Sequence, residues 1–139
     1  MVKLKSVSRV NREASTNGVW IDIADEELDV KGGRYKCRYI DFLSQATKAK
    51  LEEPKRKARL DKLNDIEQLV DTLMEFSVVD WDMVDEDDKP VKFDPDLCRE
   101  FLLTDGHEWV VLSIWNKALD AANFKAVSIA AQTETIAKN

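Results

Sequence analysis

Val78-Val79-Asp80-Trp81-Asp82-Met83-Val84, then Asp85-Glu86-Asp87-Asp88-Lys89, then Pro90-Val91-Lys92-Phe93-Asp94-Pro95-Asp96, is the stretch on which the fold turns. Its opening is an apolar, strand-like run. The acidic segment reads as a turn. Asp94-Pro95 marks a helix start, with a carboxylate able to cap and a proline at the first turn, where its missing N–H costs nothing. Strand, turn and capped helix in direct succession imply a mixed α+β domain, and nothing in the stretch has the pattern of a catalytic apparatus.

Upstream, Leu60, Leu63, Ile66, Leu69, Val70, Leu73 and Phe76 recur at three- and four-residue steps. This spacing predicts one apolar stripe on a single helix of about six turns. Pro54 either interrupts a preceding short helix, capped by Asp41 and carrying Phe42, Leu43 and Ala46, or sits in the first turn of the next one. Further back, Val19, Ile21 and Ile23 alternate with Trp20 and Asp22, and Tyr35, Cys37 and Tyr39 alternate with Lys36 and Arg38. Period-two alternation on both sides of Gly32-Gly33 predicts a small antiparallel meander over 19–40, with the glycines as its tight turn.

Downstream, Leu97, Cys98, Phe101 and Leu102 are the expected buried side of the helix that Asp94 opens. Thr104-Asp105-Gly106 ends it. Trp109, Val111, Leu112, Trp115, Ala118, Leu119 and Ala122 predict a last helix from His107 or Glu108 to Phe124. The fold class expected is therefore α+β, predominantly helical: a small N-terminal antiparallel meander, a long helix and two C-terminal helices. Residues 1–17 read as a mobile arm, 18–125 as one globular domain, and 126–139 as a loosely structured tail.

A chain of 139 residues suits one domain, able to bury about two-thirds of the surface its unfolded form exposes without a disulfide or metal. A net charge of −6 argues against a dedicated nucleic-acid binder, which needs a basic face for phosphates. No apolar run approaches membrane-spanning length. The N-terminal residues lack the apolar core of a secretory signal, so the expected compartment is the cytoplasm. Cys37 and Cys98 read as buried thiols rather than a bridge, although their spacing leaves a disulfide open. Charge is uneven: Lys48, Lys50, Lys55, Arg56, Lys57, Arg59 and Lys62 crowd one stretch, while carboxylates dominate 80–96. Such opposed patches either steer a partner, including a second copy, or are simply solvated faces.

Enzyme signals are missing from the sequence. His107 is the single histidine, and its position at a helix start suits a capping or surface role better than that of a base. Two distant cysteines and one histidine are not a zinc set. The carboxylates of 80–88 do not follow a calcium loop, because Trp81 and Met83 occupy alternate positions where oxygen ligands belong and the mid-loop glycine is absent. No cofactor is expected. The four tryptophans are better clues, since tryptophan serves interfaces as well as cores. Leu60, Leu63, Leu73, Trp81 and Trp109 are the candidate protein-interaction residues, and Trp115 is assigned to the core.

The run from Val78 through Trp81, Met83-Val84, the acidic turn, Pro90-Val91 and Phe93-Asp94 resembles the tail assembly chaperones of long-tailed bacteriophages. Gly18-Val19-Trp20 at the head of a short β-region is compatible with them. Many of those proteins place a glycine in the acidic turn before the proline, where this chain has Asp88-Lys89. The resemblance implies a non-enzymatic protein of the host cytoplasm that binds the tape-measure protein, recruits tail-tube subunits, self-associates and is left out of the finished virion. The alternative is a structural virion component, such as a minor tail or head–tail connector subunit.

Overall fold

The computed structural model describes residues 12–125, and the first element among them is a short helix, α1 (Arg12–Asn17). Residues 12–17 of the segment read as an arm are helical, while residues 1–11 and the tail expected at 126–139 lie outside the described range. Ser15-Thr16-Asn17-Gly18, residue types that favour turns, form the end of this helix and its cap. Gly18, at φ +96°, donates its N–H to Ala14 O at 2.9 Å, the left-handed C-terminal cap that glycine adopts without strain. Tyr39 N–H reaches Ser15 O at 3.3 Å and ties the helix to the sheet.

Strands β1 (Val19–Asp25) and β2 (Val30–Cys37) pair antiparallel from Val19↔Cys37 to Asp25↔Val30. Gly32-Gly33 is not their turn, which corrects the sequence reading. The turn spans 26–29, where Asp29 takes φ +51° and Leu28 N–H bonds Asp25 Oδ1 at 3.2 Å. The glycines lie inside β2 at a register shift: Ile23 faces Gly33, Ala24 faces Lys31, and Gly32 is the extra residue. Such a bulge bends the strand and raises its twist. A Cβ built on Gly32 would stand 2.8 Å from Ile23 Cγ2 and 3.0 Å from Trp109 Cη2, so the position is glycine because a helix packs directly on the strand there.

The helical middle also departs from expectation. Asp41 accepts from Leu43 N–H at 3.0 Å and makes a local turn instead of capping. Helix α2 (Gln45–Leu51) starts later, capped by Ser44, which takes Thr47 N–H at 3.1 Å. Phe42 and Leu43 therefore precede the helix. Pro54 opens α3 (Pro54–Leu60), the second of its two predicted roles. The single long helix is then broken before α4 (Asp65–Phe76). Asn64 receives Glu67 N–H at 2.9 Å, and Glu67 receives Asn64 N–H at 3.2 Å. This reciprocal capping box makes a new helix start, and the apolar spacing runs across the break without detecting it. Asn64→Ala is expected to lower unfolding free energy by about 1 kcal/mol, read as a shift of the urea midpoint at unchanged slope.

The opening stretch behaves as read locally, but its partner was not foreseen. Strand β3 (Val78–Val84) pairs antiparallel with β2, placing Trp81 opposite Tyr35, and β4 (Pro90–Val91) follows. The four strands lie in the order β1-β2-β3-β4, so the expected N-terminal meander is completed by residues far along the chain. Arg38 N–H donates to Ser77 O at 2.9 Å and Ser77 Oγ–H to Arg38 O at 2.8 Å, locking the junction of α4 and β3 to the end of β2. The acidic turn closes without glycine. Asp88 takes φ +60°, while Asp85 Oδ1 accepts from Asp87 N–H at 2.8 Å and Lys89 N–H at 3.0 Å. Aspartate tolerates that left-handed geometry better than most residues.

Helices α5 (Pro95–Leu102), capped by Asp94, and α6 (Glu108–Leu119) complete the domain with a 3₁₀ turn at Ala121–Phe124. The last helix stops at Leu119 because Asp120 caps the turn, accepting from Ala122 N–H at 3.0 Å. Cys98 and Leu102 are buried as expected, whereas Leu97 is exposed. Helix α6 packs on both α4 and β1, and Tyr35, Ile23, Leu73, Val111, Ile114 and Phe124 form the centre of the core.

Candidate functional site: a groove along two helices

The candidate interaction residues separate into two groups. Leu73 is completely buried and offers no surface. Trp81 is also core: its indole N–H donates to Val91 O at 2.9 Å, and Phe93 and Phe101 stand edge-on to it at 5.9 and 6.2 Å. Trp81 thus pins strand, turn and capped helix into one piece. Trp109 is half-buried and its ring edge sits over Gly32. Leu60 and Leu63 are half-buried at the break between α3 and α4, where Gln68 Nε2 donates to both their carbonyls, at 3.0 and 3.1 Å. Of the five, Leu60 lines an open hollow.

That hollow, of about 450 Å³, has Phe42, Leu51, Leu60, Leu69 and Trp115 as its apolar walls. Trp115, assigned to the core from sequence, is in fact half-buried here with Phe42 at 5.8 Å. A second hollow, of about 620 Å³, holds Ile66 and Leu103 with the carboxylates of Asp65, Glu67, Asp105 and Glu108. Asp65 borders both. Along α6, Glu108, Leu112, Trp115 and Leu119 recur at helical spacing and share one face, and Leu112, between the two hollows, is 46% exposed. The two hollows adjoin at Asp65, one acidic where α4 and α6 begin and the other with apolar walls further along, and together they are called the groove.

Sequence reasoning missed this because α6 carries more apolar residues than one contact can cover. Val110, Val111, Ile114 and Ala118 face the core. The separate 108–112–115–119 face was the signal, hidden inside a longer apolar list.

The expected basic patch is partly structural. Arg56, only 8% exposed, donates from Nε to Glu75 Oε2 at 2.8 Å and from Nη2 to Thr72 Oγ1 at 3.0 Å. Arg59 approaches Asp71 at 3.4 Å, and Arg99 of α5 pairs with the same buried carboxylate. Asp71 thus holds α3 and α5 against α4. Asp85 and Asp94 are likewise engaged by backbone N–H groups. Among the described residues, no group of three or more His, Cys, Asp or Glu side chains is placed to hold a metal ion. No helix among them is long and apolar enough to cross a membrane. His107 begins α6, its Nδ1 is 2.6 Å from Phe101 O, and its ring lies on Phe101.

Cys37 and Cys98 are both free and buried. Burial pushes the Cys37 thiol up to about 11, against a smaller lowering by its hydrogen bond with Ser77. Burial, helped by Cys37 nearby, pushes Cys98 up to about 12. The fold therefore favours the neutral thiols. Unfolded thiols ionise near 9, so this stabilisation is complete below that pH and is lost as pH rises through about 11 to 12. Urea midpoints are expected to fall steadily above pH 9, and both thiols should resist a disulfide reagent until the chain unfolds. Rapid labelling of the native protein at pH 8 would contradict this.

Comparison with protein-family models, curated proteins and solved structures finds no match to this chain.

Proposed function

We propose that this protein is a tail assembly chaperone of a long-tailed bacteriophage. It binds the tape-measure protein and recruits tail-tube subunits in the host cytoplasm, self-associates, catalyses no reaction and is left out of the finished particle. The observation that carries the reading is the unit formed by residues 78–102, in which β3, the acidic turn, β4 and capped α5 fold around Trp81. It has the layout on which the resemblance rests, and Asp88 takes a left-handed φ of +60° that closes the turn without a glycine. A groove with apolar walls is a second support, because a protein that holds an aggregation-prone client needs apolar surface left open in its own folded state.

Co-expression with a tape-measure protein tests the proposal. The expected result is a soluble complex that co-purifies, with this chain missing from purified particles by mass spectrometry. A fixed copy number in mature particles would instead indicate a structural virion subunit.

A further inference from the structure

We infer that the groove between α4 and α6 receives an amphipathic helix of another polypeptide, with that helix's lysine- or arginine-rich end lying on the acidic end of the groove. The inference rests on the chaperone reading for the identity of the client and names the chemistry by which the client is held.

Shape and charge both point to this occupant. From Glu108 to Trp115 the groove follows α6 for about two turns, roughly 10 Å. That length suits a helix anchored by apolar side chains at i, i+3 or i+4, and i+7, the usual pattern of helix-in-groove recognition. Trp115 on one bank and Leu60 and Leu69 on the other supply the apolar contact, and the exposed Leu112, one turn before Trp115 on the same face of α6, extends it. An extended strand has no comparable use for the site, which offers helical walls and no free row of backbone donors.

Asp65, Glu67, Asp105 and Glu108 set the direction. Asp65, Glu67 and Glu108 stand in the first turns of α4 and α6, where carboxylates offset the positive helix ends. Two helix ends amount to about one positive charge in total, so the rim stays strongly negative. None of these carboxylates has an ion-pair partner among the described residues, in contrast to Asp71 and Glu75. The α3 bank carries Lys55 and Lys57, both exposed, so cations on the client are repelled there and drawn to the rim. Complementarity of this kind fixes orientation as well as encounter rate.

The test uses the full chain and synthetic helical peptides with leucine at i, i+4 and i+7. One set carries three N-terminal lysines and the other three glutamates, and binding is measured by calorimetry. The lysine peptide is expected to bind at least about tenfold more tightly, with the difference shrinking in high salt. Leu112→Glu should weaken the lysine peptide by about tenfold or more with circular dichroism unchanged. The double change Asp105→Lys and Glu108→Lys should reverse the preference. Equal binding of both peptides, or unchanged binding to Leu112→Glu, overturns the inference. So does self-association that Leu112→Glu abolishes while neither peptide binds, which assigns the groove to a second copy. Leu112→Glu that still holds the tape-measure client in solution overturns the groove and leaves the chaperone reading standing. Wild-type protein that binds peptide but never the client overturns the chaperone reading and leaves the groove.

Discussion

Leu73→Asp is expected to yield no folded protein, while an acidic residue at Leu112 leaves the fold intact. Leu73 is completely buried on α4, and Leu112 is 46% exposed. Removing a buried leucine side chain down to alanine already costs about 2–5 kcal/mol. A carboxylate in its place adds desolvation of several kcal/mol more. The total is comparable with the whole stability of a domain this size, about 5–15 kcal/mol. A surface change such as Leu112→Glu is worth about 0.5 kcal/mol in either direction. Far-UV circular dichroism and gel filtration of the two variants decide the matter. A folded Leu73→Asp protein would mean that α4 does not face the core. The comparison also shows why Leu73 cannot report on client binding: loss of the fold would imitate loss of the surface, whereas Leu112 tests the surface alone.

Gly32→Ala should have the second-largest effect, about 2–3 kcal/mol of lost stability. The added methyl would meet Ile23 Cγ2, Trp109 Cη2 and Val110 Cγ2 at 2.8–3.0 Å. The β-branched Ile23 and Val110 are stiff at χ1 and cannot swing aside. Gly33 is obstructed by the flexible Met83 thioether and, at 3.0 Å, by the buried Tyr35 hydroxyl, and its φ of +106° adds backbone strain. Gly106 isolates that strain, with φ +87° and nothing within 4 Å of a built Cβ. Gly106→Ala is expected to lose only about 1–2 kcal/mol. Urea titration of the two alanine variants separates packing from dihedral cost. Gly32→Ala no worse than Gly106→Ala would show that α6 does not press on the bulge.

Several features were legible because they depend on a few adjacent residues. Asp94-Pro95 opens α5 and Thr104-Asp105-Gly106 ends it, since caps and backbone restrictions act over one turn of chain, while Pro54, for which two roles were open, sits in the first turn of α3. The alternation in 19–23 and 35–37 marks real strands. The errors came where local signals had two meanings. A glycine pair serves a turn or a bulge equally well, and only the approach of Trp109 and Val110 from α6 distinguishes them. Apolar spacing from Leu60 to Phe76 fits one helix or two, because the break falls where the chain resumes its helical phase. The Asn64 and Glu67 pair that marks the restart matches the capping-box signature with asparagine in the serine position.

The candidate site was the least legible part. Leu73 and Trp81 were candidate interface residues but lie inside, whereas Trp115 was assigned to the core and lines the groove. Which face of a helix is covered depends on what packs against it, and for α6 those neighbours are α4 and β1, remote in the chain.

Residue order alone was enough to specify a mixed α+β chain, its strand segments, its proline-marked helix starts and its uneven charge, because each arises from contacts within a turn or from composition. Pairing of β3 with β2, the bulge at Gly32 and the open channel beside α6 came from long-range packing. A leucine has the same preference for apolar surroundings wherever it stands, and only the assembled neighbours determine whether that preference is met or left for another polypeptide to satisfy.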